Sequence, residues 1–228
     1  MYQPTTSCGQ IGLILHKIYH KFLGYKTNGT FIEVGANDGK TGSFTYNLAK
    51  LGWKGIYCEP IPKIYNLCVE NHKNHKNISC LNVGCGSKKE ELEITVANTL
   101  STIDTEMLEM YKNAHWAQST LRNSYKTKIK IEKLDVLLEQ NEIQPDFDVF
   151  ILDVEGYEEE VLKGFSLEYY NPKIIVIEIP DKHPDFIHNT NFLSKCKRLR
   201  DLLEKDGKYK LIVQDIVDNV YIRNDILD

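Results

Sequence analysis

The chain has 228 residues, 42% of them hydrophobic, and a formal charge of −4. That length sustains one α/β domain with a full core and falls short of two. The balance of charge and apolar content excludes a disordered chain and a general nucleic-acid-binding surface.

In chain order, Gln10–Leu23 carries Ile11, Ile14, Leu15, Ile18 and Phe22 at helical spacing, which predicts an amphipathic helix within a 1–29 segment lying on the domain. Gly24 and Asn28-Gly29 punctuate the entry to a first strand, Phe31-Ile-Glu-Val, and a helical pattern follows from Ser43 to Leu51. Gly55–Glu59 reads as a second strand, broken by Pro60 and Pro62, with a helix over 64–71 and a third strand from Ile78 to Val83. This alternation predicts right-handed βαβ units on a parallel sheet.

Glu91–Val96 reads as a further short strand, and the polar stretch 98–123 breaks the rhythm. It is expected either to cover the carboxyl edge of the sheet as an acceptor-recognition segment or to be a surface helix with an apolar underside. Lys128–Leu134 then alternates like a strand, Asp135–Gln140 is a short helix, and Phe147–Val154 is a buried strand. A helix over Tyr157–Gly164 is closed by its glycine, and Ile174–Ile179 is the next buried strand. A polar turn within 180–190 is a second acceptor-recognition candidate. Leu193–Lys205 is the last long helix, and Tyr209–Val213 faces Val220–Arg223 as an antiparallel hairpin. With no repeat or linker in view, residues 1–228 read as a single domain.

Cys8, Cys58, Cys68, Cys80, Cys85 and Cys196 form neither a C-x-x-C pair nor a zinc spacing. No secretory segment and no run of transmembrane length is visible. A reduced cytoplasmic setting is therefore expected, with the cysteines as small buried hydrophobes.

The chemistry concentrates at strand ends. Phe31-Ile-Glu-Val-Gly-Ala-Asn-Asp-Gly39 delivers a buried strand into a glycine-bounded turn, where Gly35 and Gly39 admit close approach of a ligand. Asn37 stands where a dinucleotide fingerprint needs its second glycine, and Glu33 inside the strand suits a cationic group better than a phosphate. The turn therefore points to S-adenosylmethionine, with its ammonium, over NAD. Glu59, ending the second strand twenty residues beyond Gly39, is placed to accept hydrogen bonds from ribose hydroxyls. Asn82-Val-Gly84 offers polar contacts and room for a flat adenine.

Asp153 and Glu155 fall on one face if their strand persists that far, pointing into the crevice beside the first strand. Such a pair could orient an acceptor, hold the cofactor ammonium, serve as general base, or cap the following helix. Glu178, in an otherwise apolar strand, argues for a polar site nearby, because burying a lone carboxylate costs several kcal/mol. His183 in the next turn is a further candidate base. Asp153, Glu178 and Asp181 together could hold Mg²⁺.

Several of these segments resemble the FkbM family of methyltransferases: the Phe31–Gly39 run, Glu59-Pro60, Leu134-Asp135, Phe147–Gly156, Glu158–Gly164 and Pro172–Glu178. The likeness covers roughly residues 30 to 180, and the tail hairpin fits as well. It implies a class I, Rossmann-like, doubly wound and mostly parallel sheet of seven strands ending in an antiparallel hairpin. It also implies O-methylation, often of a sugar hydroxyl on a glycan or glycosylated product.

By this resemblance Glu33, Gly35, Asn37 and Gly39 would line the methionine end of the cofactor, Glu59 the ribose and Val83-Gly84 the adenine, and Asp153 would sit where cofactor and acceptor meet. Ala36, Asp38, Ser43, Pro60 and Asn82, beside them in the chain, are further candidate cofactor-binding residues. The family commonly carries lysine two residues before the motif aspartate; here that residue is Ile151. The competing readings are an NAD-dependent oxidoreductase, which the missing middle glycine opposes, and a binding module without turnover, which the retained acids oppose.

Overall fold

The computed structural model describes residues 9–227; Cys8 lies outside them. Among the described residues, seven strands form the main sheet. They are β1 (Thr30–Val34), β2 (Lys54–Cys58), β3 (Ile78–Leu81), β7 (Val149–Leu152), β8 (Ile174–Glu178), β9 (Tyr209–Gln214) and β10 (Asp218–Arg223). Their order is β3-β2-β1-β7-β8-β10-β9, with β10 antiparallel to both neighbours and the other pairings parallel. The chain winds outward from β1 in one direction and from β7 in the other. The crevice between these two strands is therefore the topological switch point.

Side-chain alternation sends each strand's residues to two cores. Phe31, Tyr57, Val149, Ile151, Ile174 and Val176 meet Ile11, Leu15, Ile18 and Tyr19 of helix α1 (Gly9–Leu23), together with Leu48 and Ala49 of α2 (Tyr46–Lys50). Ile32, Val34, Ile56, Phe150, Leu152, Ile175 and Ile177 face the other way. There they meet residues of α4 (Thr105–Asn113), α6 (Leu134–Gln140), α7 (Glu158–Lys163) and α9 (Thr190–Glu204). Coverage on both faces is why these strands read as continuous apolar runs. Helix α3 (Pro62–His72) joins β2 to β3, starting on Pro62 where a missing N–H costs nothing.

A second, three-stranded sheet departs from the simple alternation. Strands β5 (Glu90–Val96) and β6 (Tyr125–Glu132) pair antiparallel, with the short β4 (Gly84–Cys85) parallel to β6. One face buries Ile94, Val96, Ile129 and Ile131 on Ile61. The other sets Glu91 opposite Lys130 and Glu93 opposite Lys128, and Glu93 forms an exposed ion pair with the diagonal Lys126 at 2.6 Å. Leu134, expected at the end of β6, instead opens α6 and is fully buried.

Within the 98–123 stretch both expected features occur: a helix with an apolar underside, and residues Asn98, Thr99 and Ser101 that line the cleft where β1, β2 and β7 end. Asp104 caps α4 by accepting from the Met107 N–H at 2.9 Å, and Met107, Met110 and Tyr111 form its buried underside, with α5 (Gln118–Leu121) following. Helix α9 starts three residues before the expected Leu193, because the Asn189 side chain accepts from the N–H groups of Asn191 and Phe192, both at 3.1 Å. The last short helix, α8 (Leu167–Tyr170), leads into β8.

Gly164 does end α7, but not by left-handed geometry, since its φ is −96°. A Cβ there would lie 2.0 Å from the carbonyl oxygen of Gly86, just beyond β4, and the Gly164 carbonyl accepts from Asp135 of α6. Glycine is required by the close approach of three backbones. Gly164→Ala should cost about 1–3 kcal/mol in equilibrium urea unfolding, the usual range for overpacking a rigid contact.

Candidate active site

At the switch point the ends of β1 and β7 touch. Gly35 takes a φ of +85°, and a Cβ on it would stand 1.6 Å from the carbonyl oxygen of Asp153. The Asp153 N–H donates to Val34 at 3.1 Å, and the N–H groups of Gly35 and Ala36 both donate to the Cys58 carbonyl at 3.1 Å. Gly39 is likewise held by protein: its added Cβ would lie 2.6 Å from Cys68 Sγ and 2.7 Å from His72 Nε2. Close approach at both glycines is thus used by the fold itself, and Gly35 also lines the cleft.

The cleft opens where β1, β2 and β7 end, and polar groups from all three strand ends converge on it. Glu33, Gly35, Ala36, Asn37, Ser43, Glu59, Pro60, Gly84, Asp153 and Glu155 line it. Asp38, Gly39, Asn82, Val83 and His183 do not line it. Asp38 instead closes its own turn, accepting from the N–H groups of Lys40 and Thr41 and from the Thr41 hydroxyl at 2.9, 2.6 and 2.8 Å. Asn82 donates from Nδ2 to the carbonyls of Glu59 and Pro60 at 3.0 Å, bracing the turn after β2 from behind. Val83 packs on the core.

Glu33 is buried, and one carboxylate oxygen accepts from the hydroxyls of Ser43, at 2.9 Å, and Thr45. Ser43 in turn accepts from the N–H groups of Thr45 and Tyr46, which fixes it at the mouth of α2. Burial outweighs these donors and pushes the Glu33 carboxyl up to about 7. Glu59 is also buried; its two oxygens accept from Asn37 N–H at 3.1 Å and Ile61 N–H at 2.8 Å, and burial raises it to about 7. Each oxygen keeps a second lone pair for a ligand hydroxyl.

The strand carrying Asp153 stops at Leu152, so strand periodicity is not what unites the two acids. A turn does it: Glu155 adopts φ +55° and Gly156 φ +97°, while Glu158 accepts from the N–H groups of Val154 and Gly156 at 3.1 and 3.2 Å. Carboxylate oxygens of Asp153, Glu155 and Glu178 consequently lie within 4.8 Å of one another. The Tyr111 hydroxyl donates to Glu155, and Thr102 Oγ1 donates to the Glu155 carbonyl at 2.6 Å, tying the 98–123 segment to the acids.

Burial raises Asp153 to about 6 and holds Glu155 and Glu178 well above the usual carboxylate range. Asp218, paired in register with Glu178, is pushed up to about 8 by burial and by the charge on Asp153.

His183 stands apart from this group. Its ring stacks on Phe186 at 4.4 Å and leans on Trp116 at 5.4 Å. Asp181 receives two bonds from Arg200, at 2.9 and 2.8 Å, which removes it from the expected Mg²⁺ set and leaves Glu155 in its place. Thr45, Tyr111, Glu158 and Asp218 belong to the site without having been singled out for it in sequence. Asp218 falls in the turn of the expected hairpin and meets Glu178 only through the pairing of β10 with β8, which the sequence does not show.

The fold resembles solved methyltransferases. A Klebsiella pneumoniae protein assigned as an O-methyltransferase superposes with a TM-score of 0.55 at 10% identity, over 97% of this chain and 84% of its own. The O-methyltransferase TomG from Streptomyces achromogenes, solved with S-adenosylmethionine, gives 0.53 at 7% identity, over 92% and 80%. No protein of curated function matches the sequence. The profile of the methyltransferase FkbM domain matches residues 33–211. That span begins at Glu33 within β1 and takes in the residues lining the cleft and all three clustered acids, and the chain therefore belongs to the FkbM family of S-adenosylmethionine-dependent methyltransferases.

Proposed function

We propose that this enzyme methylates a hydroxyl, most naturally on a sugar of a glycan or glycosylated product. The observation that carries the reading is that one cleft is lined by Glu33, Glu59, Asp153 and Glu155 together. Glu33 is set to hold an ammonium and Glu59 a ribose; the side-chain space of Gly84 is taken by Ile131, so an adenine would meet the Gly84 backbone. The sulfonium cofactor supplies an activated methyl group, and the protein contributes position and exclusion of water.

An alcohol must also lose its proton, and Asp153 or Glu155 is the group within reach to accept it or to orient the hydroxyl. Residues Asn98, Thr99 and Ser101 line the same cleft and belong to the 98–123 segment, which we assign to acceptor recognition. The 180–190 segment joins it through Trp116, whose indole donates to Asp185 at 2.7 Å. We place the reaction in the cytoplasm, a reading consistent with the five free cysteines among the described residues. No helix among those residues is long and apolar enough to cross a membrane.

S-adenosylhomocysteine should bind saturably in isothermal titration calorimetry, and NAD should not. Glu33 carries a raised carboxyl in the free protein, whereas a bound ammonium favours its ionised form. Binding therefore releases a proton, and affinity should rise with pH through about 7. Glu33→Gln should weaken binding and flatten this rise; a slope unchanged in the variant would remove Glu33 from the ammonium site. Asp153→Asn should lower methyl transfer by about 10²-fold or more while retaining S-adenosylhomocysteine binding. Turnover at the wild-type rate would discard its role as base or orienting group.

A further inference from the structure

The acid cluster holds more carboxyl groups than methyl transfer explains. Glu178 closes β8, while Asp153 and Glu155 follow β7, so adjacent parallel strands hold the three carboxylates, with oxygens within 4.8 Å. Independently, Glu178 is only 6% exposed, and its Oε2 is fully enclosed with no hydrogen-bond partner. A buried carboxylate oxygen left in this way costs several kcal/mol unless something electropositive meets it.

Among the described residues no basic side chain does so. Lys195 is committed to Asp104, at 2.5 Å, and to the Gly156 carbonyl, and Arg200 is committed to Asp181. The Tyr111 hydroxyl serves one oxygen of Glu155 and leaves the other open.

We propose that Asp153, Glu155 and Glu178 form a binding site for a divalent cation of the Mg²⁺ or Mn²⁺ class. The donors are all carboxylate oxygens, the chemistry of hard cations, and there is no imidazole or thiolate to favour zinc or copper. Three protein oxygens leave further coordination positions for water or an acceptor hydroxyl. Asp153 and Glu155 line the cleft, so those positions open towards it. A coordinated hydroxyl ionises more readily, which would support alcohol methylation. The site nevertheless stands on its own geometry and does not depend on the acceptor assigned above. The rival occupant is a proton shared between Asp153 and Glu178, which would satisfy the same oxygen without metal.

Titrating Mn²⁺ into the cofactor-free full chain at pH 8, followed by loss of the free-ion electron paramagnetic resonance signal, separates the two. One ion should bind per chain and be displaced by Mg²⁺. Glu178→Gln should weaken that binding by about tenfold or more. Glu155→Gln serves as the second variant should the first fail to fold, as judged by circular dichroism. Absence of bound Mn²⁺ in the wild type, or affinity unchanged in a folded variant, overturns the proposal in favour of the shared proton. S-adenosylhomocysteine titrated into the same samples reports the methyltransferase cleft separately, so failure of one reading is distinguishable from failure of the other.

Discussion

Everything at this site depends on the closeness of two strand ends. Gly35 and the Asp153 carbonyl are so near that no other residue fits at position 35 without moving the backbone. That contact seats the β1 turn against the β7 turn and brings residues from 120 positions apart to one cleft. A wider gap would leave Glu33 and Asp153 on separate walls. The glycine serves the protein's own packing first, and the ligand-sized space follows from it.

The second constraint is electrostatic. Glu33, Glu59, Glu158 and Glu178 are buried, and Asp153, Glu155 and Asp218 are crowded with them at the carboxyl edge of the sheet. Ordinary folding would not retain so many acids away from water. Hydrogen bonds meet part of the cost: Ser43 and Thr45 on Glu33, backbone N–H groups on Glu59 and Glu158, and Tyr111 on Glu155. The remainder appears as raised proton affinity, which makes the site receptive to cations of any kind. A sulfonium cofactor with an ammonium at one end matches that field, and so does a metal ion at the other.

The small sheet and α4 serve this arrangement from outside. Their apolar faces anchor on Ile61 and on the core beneath α4, while Asn98, Thr99, Ser101 and Tyr111 reach the cleft or its acids. These polar residues are thus carried outside the main sheet, on a segment held by the β5–β6 pairing and by its buried apolar side chains.

The strands of the main sheet were legible in the sequence because each is a short apolar run bounded by glycine, proline or acid. Burial on both faces enforces that pattern locally. The strand-end acids Glu33, Glu59, Asp153 and Glu178 were legible for the converse reason, as charges where an apolar run should continue. What the sequence could not decide were matters of distance. The union of Asp153 with Glu155 depends on a left-handed turn and not on strand alternation. The exclusion of His183 follows from an aromatic stack with Phe186, and that of Asp181 from Arg200 nineteen residues away. Periodicity reports which face a residue takes within its own element. Which distant partner waits on that face is decided only when the elements meet.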